Sequence, residues 1–252
     1  MKQLIIFLIL FYTTGLKAQF ESKVDTLDVT TNGNAYKFSP KKLIIPSVFI
    51  SYGILSLTND GLKEINTSTR HESSEHITPG AMIDNYMQYA PVVAVYGLNL
   101  AGVKGNHNFK DRTIIYVTAH LIMSAIVIPT KKWVGEERPD GSSKTSFPSG
   151  HTATAFSSAH FMFREYKDTN FWLSISCYPI AAMTGVYRIF NDKHWVGDVV
   201  AGAGIGILST EMAYWLFPVI FKWFTPKSND QSLIILPTYQ SKQFGLGIIK
   251  TF

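Results

Sequence analysis

Between Leu43 and Phe224 the chain is cut into six apolar stretches, and a soluble core has little use for so many. They run Leu43–Leu57, Met87–Val103, Thr113–Pro129, Thr152–Phe163, Phe171–Val186 and Trp195–Phe224. Most fall short of the ~20 residues that span a bilayer. The fourth carries His160 and the fifth Pro179. Such stretches suit helices that hide polar groups inside a bundle, or that cross a membrane only in part. Charged residues make up 16% of the chain and aromatics 13%, low in charge for a soluble domain of 252 residues. Mean hydropathy is only +0.09, so part of the chain lies outside the bilayer. The length fits one domain. The pattern predicts an all-α membrane bundle of about five to six helices, occupying residues 41–226. The last stretch holds Gly202 and Gly206 at the small-x-x-x-small spacing of close helix packing. A nucleotide loop is a poor reading of these glycines, because they follow a helix-like run and no strand.

The ends differ in character. Residues 1–18 have the Lys2 start, the Leu4 to Tyr12 apolar run and the Leu16-Lys17-Ala18 cleavage pattern of an export signal. Residues 19–40 form a polar lead-in. The tail, 227–252, alternates in a β-like way at Leu233–Leu236 and Phe244–Ile249, which predicts a small C-terminal hairpin with Pro237 and Ser241 between its strands.

Loop charge assigns sides. Lys104, Lys110 and Arg112, and in the tail Lys222, Lys227, Lys242 and Lys250, mark cytoplasmic segments. Residues 59–85 carry Asp60, Glu64, Glu72, Glu75 and Asp84 against Lys63 and Arg70, and read as exported. They form either an amphipathic surface helix or an ordinary solvated loop. If residues 1–18 are removed, 43–57 should not span fully, and Pro46, Ser47 and Ser51 suit a half-inserted helix. The net charge of +5 fits anionic headgroups. Nucleic acid is a poor partner, because the basic residues are dispersed. Cys177 is the only cysteine and sits in an apolar run, so packing is its role. His71 and His76, five apart, read as surface residues; His120 and His160 read as satisfied bundle-interior histidines, and Glu211 as a paired carboxylate.

The chemistry gathers between Lys131 and Asp198. Lys131 is followed after six residues by Arg138-Pro139; then come Pro148-Ser149-Gly150-His151; then Arg188, five residues, His194, three residues and Asp198. On a helix, His194 and Asp198 share a face. The carboxylate then fixes one imidazole nitrogen and frees the other to attack. Lys131, Arg138 and Arg188 are poor bases but good polyanion ligands, and arginine forks match phosphate oxygens. Ser149 follows Pro148 and precedes an apolar run, as an N-cap does. The free N–H groups beyond it favour an anion, Gly150 admits a close approach, and His151 stands beside that anion as a general acid. No ligand cluster with metal spacing is present, and no cofactor is expected.

These three motifs resemble the signature of the type 2 phosphatidic acid phosphatase superfamily. The resemblance implies that His194 is the nucleophile, Asp198 its orienting partner, and His151 the group that protonates the leaving oxygen and later activates water. It implies that Lys131, Arg138, Ser149, Gly150 and Arg188 bind the phosphoryl group. One departure is Tyr187, where the family often has Ser. The expected function is metal-independent hydrolysis of a lipid phosphate or pyrophosphate through a phosphohistidine, at the periplasmic face of a bacterial inner membrane. A soluble exported acid phosphatase of broad specificity, a vanadate-dependent haloperoxidase and an inactive membrane scaffold are the alternatives.

Overall fold

A computed structural model describes residues 39–76, 80, 82–224, 233–240 and 243–250. The expected export signal at 1–18 lies outside the described residues, as does nearly all of the polar lead-in. A 3-10 turn, Pro40–Leu43, leads into α1 (Ile44–Ser56) and α2 (Asp60–His76). Then follow α3 (Asp84–Met87), α4 (Ala90–Leu100), α5 (Phe109–Val134), α6 (Gly150–Tyr166), α7 (Phe171–Ile175), α8 (Tyr178–Phe190) and α9 (Val196–Phe224). The tail forms β1 (Leu233–Gln240) and β2 (Gln243–Lys250). They pair antiparallel, with Leu233 opposite Lys250 and Gln240 opposite Gln243. Pro237 therefore lies inside a strand and not in the connection.

Local chemistry explains the helix ends. Asn108 caps α5 by accepting from the Asp111 N–H at 2.9 Å, and Gly135 stops it in the left-handed region at φ 63°. Pro129, expected to close the third apolar stretch, instead sits within α5. Its missing N–H removes one helical bond, but the helix continues through Lys131. Lys131 thus projects from the last turns of a helix rather than from a loop. The fifth apolar stretch is two helices: Asn170 caps α7, and Pro179 in the first turn starts α8 afresh. The polar residues 60–76 form a helix, so the solvated-loop reading of that part fails. Asn66 of α2 accepts from the Gly197 N–H at 3.2 Å, which docks the helix on the start of α9.

The helix α9 is central and packs against α6, α1 and α5. Its glycines make that possible. A Cβ at Gly206 would meet the Ala153 carbonyl oxygen at 2.3 Å, and one at Gly202 would meet the Ser149 carbonyl oxygen at 2.5 Å. The small-residue spacing is therefore a helix-crossing seam. Gly206→Ala should push α9 from α6, because the obstructing atoms are backbone and cannot rotate away. A loss of about 1–3 kcal/mol is expected, read as a lowered Tm in detergent. Gly150→Ala should leave Tm nearly unchanged, since its Cβ would find nothing nearer than Val127 at 3.8 Å.

Both α5 and α9 are long and apolar enough to cross a membrane, and α1 with α2 would make a third span bent by 87°. The chain is a membrane protein by these helices. The sharp break between α1 and α2 suits the half-inserted helix expected at 43–57. One end of the bundle holds a buried polar knot. Glu165 of α6 accepts from Arg112 Nε at 3.1 Å and Tyr214 OH at 2.7 Å, and its Oε1 lies 2.7 Å from His107 Nδ1. His160 lies between Tyr178 OH and Glu211, at 2.6 and 2.7 Å. His160 and Glu211 are thus partnered as expected. His120 bonds Tyr116 OH through Nε2, while Cys177 is buried in the core.

Candidate active site

The opposite end of the bundle gathers the motif residues from the last turns of α5, the start of α6, the end of α8 and the start of α9, with the 135–149 loop and the turn before α9. Backbone bonds tie them together. The Ser149 N–H donates to the Asp198 carbonyl at 3.0 Å, and the His194 N–H to the Arg188 carbonyl at 3.2 Å. The loop carrying Arg138 is pinned to the turn before His194. Trp195 Nε1 donates to the Glu137 carbonyl at 2.9 Å, the Asp140 N–H to the Asp192 carbonyl at 3.1 Å, and Lys193 pairs with Asp140.

His194 is not on a helix. It lies two residues before α9, and Asp198 occupies that helix's first turn. Sequence spacing alone suggested a shared helical face; the contact arises because the chain turns into α9 at Trp195. Asp198 Oδ2 accepts from the Trp195 N–H at 2.9 Å and from the Ser146 hydroxyl, and His194 Nδ1 lies 3.4 Å away. Ser146 Oγ is itself 3.5 Å from Nδ1. Nδ1–H therefore faces two oxygens, and Nε2 is left as the nucleophilic nitrogen. His194 is only 2% exposed. Burial pushes its imidazole down to about 4, Lys131 and Arg188 add to the fall, and Asp198 opposes it. The ring is neutral at pH 7, as a nucleophile must be.

The cations have donors to spare. Lys131 Nζ donates to the Thr145 and Ser146 carbonyls at 2.7 and 3.1 Å, which leaves one of its three N–H groups. The Nε groups of Arg138 and Arg188 are buried and have no protein acceptor. Ser149 caps α6, but its hydroxyl is engaged with Thr152 at 2.9 Å. At Gly150 the protein leaves room above the backbone, so packing does not demand the glycine.

His151 stands at the first turn of α6, and its Nε2 lies 2.8 Å from Asn85 Oδ1. Burial, then Arg188, push it down to about 4; Lys131 and Arg138 contribute, and Asp84 opposes. A phosphate dianion among those cations should reverse this and raise His151. In 15N-histidine-labelled protein without phosphate, His151 and His194 should stay neutral from pH 8 down to 5. Adding tungstate or phosphate should bring a protonated His151 into that window, and an unchanged titration would contradict the electrostatic picture.

Four contributors were not legible from the motifs. Ser146 buttresses Asp198. Glu136 lies beside Asp198, and burial followed by that carboxylate pushes it up to about 9. Asp84 and Asn85 come from the acidic 59–85 segment, whose charges signalled only sidedness. Tyr187, at the position of departure, packs edge-on against Phe190.

Residues 112–222 match the PAP2 superfamily model. The matched span contains all three motifs. A lipid A 1-phosphatase of Porphyromonas gingivalis is 38% identical over 141 residues, 56% of this chain and 32% of that protein. The bacitracin transport permease protein BcrC of Bacillus licheniformis is 38% identical over 73 residues, 29% of this chain and 34% of that one. The chain thus spans about a third of the length of these curated relatives. Among solved structures, a PAP2-type phosphatidylglycerolphosphate phosphatase from Bacillus subtilis superposes with a TM-score of 0.45 at 16% identity, covering 73% of this chain and 99% of that one.

Proposed function

We propose that this chain is a PAP2-type, metal-independent phosphatase that hydrolyses a lipid phosphate or pyrophosphate through a phosphohistidine at the periplasmic face of the inner membrane. The observation that carries this is a neutral, oriented His194 beside His151 and three cations that keep unused donors. His194 Nε2 attacks phosphorus while the bond to the leaving oxygen breaks, and protonated His151 supplies that oxygen's proton. His151 then takes a proton from water, whose oxygen displaces His194 and releases phosphate. Lys131, Arg138 and Arg188 hold the phosphoryl oxygens, where charge spreads in the transition state. The N-terminus of α6 at Gly150 adds its dipole, with Ser149 as the cap.

A lipid substrate is favoured by location, since the site lies at the end of apolar helices, where headgroups lie. Lipid A phosphate stands first among the candidates because three of the relatives are named lipid A 1-phosphatases. The periplasmic side follows from the acidic 59–85 segment and the basic 104–112 loop. Phosphate release by the detergent-solubilised protein is the test. Lipid A, phosphatidic acid, phosphatidylglycerophosphate, undecaprenyl pyrophosphate and para-nitrophenyl phosphate would be compared with EDTA present throughout. Preference for a lipid is expected; equal turnover of the soluble ester would favour the broad acid phosphatase, and a loss of activity in EDTA restored by divalent metal would contradict the metal-free chemistry.

A further inference from the structure

Two neighbouring residues outside the three motifs each grip one member of the site. Arg188 NH1 donates to Asp84 Oδ2 at 2.7 Å, and both side chains are buried. Asn85 Oδ1 lies 2.8 Å from His151 Nε2. An amide oxygen only accepts, so Nε2 carries the hydrogen and the ring is fixed in that tautomer. The short helix α3 that presents both residues is itself held. Asn191 Nδ2 reaches Asp84 Oδ1 at 3.5 Å and its Oδ1 accepts from the Gly80 N–H at 3.0 Å, while Gln88 bonds the Asn85 carbonyl at 2.8 Å.

We propose that Asp84 and Asn85 are positioning residues: Asp84 aims Arg188 at the phosphoryl group, and Asn85 sets His151 so that Nδ1 exchanges the proton with the leaving oxygen and with water. This rests on the phosphohistidine reading. Asp84 occupies one terminal nitrogen of the guanidinium and leaves the buried, unpartnered Nε edge for phosphate oxygens. Asn85 does for His151 what Asp198 does for His194, with a neutral acceptor in place of a charged one. That difference suits their tasks. A carboxylate behind the nucleophile supports positive charge as the P–N bond forms, whereas a neutral amide behind the acid orients the ring without strengthening its hold on the proton. In the first step the His151 Nδ1–H bond breaks as the leaving oxygen gains that proton. In the second step Nδ1 takes a proton from the attacking water, so the cycle closes with no other reactant.

Leaving-group dependence separates this from mere structural support. The parameter kcat/KM reports only steps through departure of the leaving group, so the hydrolytic step drops out. The substrates are a long-chain alkyl phosphate, whose alkoxide needs a proton to leave, and a para-nitrophenyl phosphate, whose phenolate does not. Asn85 is exposed, so Asn85→Ala should fold. It should lower kcat/KM for the alkyl ester by about 10- to 100-fold, part of what a positioned acid contributes. The aryl ester should change by less than about threefold, and Asn85→Asp, which keeps the acceptor oxygen but tightens the ring's hold on the proton, should recover the alkyl ester only in part. An equal effect on both esters, or none on either, would overturn the role of Asn85. Asp84→Ala should raise KM and the inhibition constant of inorganic phosphate together, by about tenfold, with Asp84→Asn restoring most of it. Unchanged or tighter phosphate binding in both variants would overturn the role of Asp84. His194→Ala, run alongside, reports separately on the underlying reading: if it still turns over both esters, the nucleophile assignment fails whatever Asn85 does.

Discussion

His194→Ala should lose phosphate release by at least about 10⁴-fold, with the protein still folded and still binding phosphate. A missing nucleophile is not partly replaced by its neighbours, and groups that act as one unit fail together. The surrounding candidates are unsuited. Lys131 is held by two carbonyls, and the arginines do not deprotonate. His151 is tied to Asn85 through Nε2. The ring is nearly fully buried, so its loss opens a small polar cavity beside Asp198; thermal denaturation would check that the fold tolerates it. Phosphate release from the preferred lipid is the measurement, and residual activity within tenfold of the parent would refute the assignment.

Asp198→Asn should lower kcat by about 10² to 10⁴-fold and leave KM within a fewfold. Three donors converge on Asp198 Oδ2: the His194 imidazole, the Ser146 hydroxyl and the Trp195 N–H. An amide there keeps one acceptor but removes the charge that supports positive imidazole as the P–N bond forms. Its NH2 also faces a region built of donors. Lys131 and Arg188 are held by other partners than Asp198, so substrate capture survives. A KM rise as large as the kcat fall would show that Asp198 chiefly shapes the phosphate pocket.

The motif spacings carried much of this into the sequence. Lys131, Arg138, His151, Arg188, His194 and Asp198 do meet at one end of the bundle, and the Gly202–Gly206 seam packs as its spacing implied. The misses have physical causes. The third apolar stretch stops at Pro129 because polar Thr130, Lys131 and Lys132 follow it, yet α5 runs on to Val134. His194 and Asp198 were placed on a common helix by their i,i+4 spacing; that spacing is equally served by a turn feeding a helix N-terminus, where a first-turn carboxylate caps the incoming backbone. Asp84 and Asn85 were invisible because their partners lie 104 and 66 residues away. Two polar residues on a one-turn helix show no periodicity that would announce such a contact. Ser146 and Glu136 lack motif status for the same reason.

The most direct measurement is to trap the intermediate. Protein mixed with a 32P-labelled lipid phosphate and quenched within milliseconds should carry label that survives alkali and is released by acid, as a phosphoramidate does. The label should vanish in His194→Ala and accumulate in a variant slowed in the hydrolytic step. Full turnover with no protein-bound phosphate at any quench time, or acid-stable label that persists in His194→Ala, would contradict a phosphohistidine at His194.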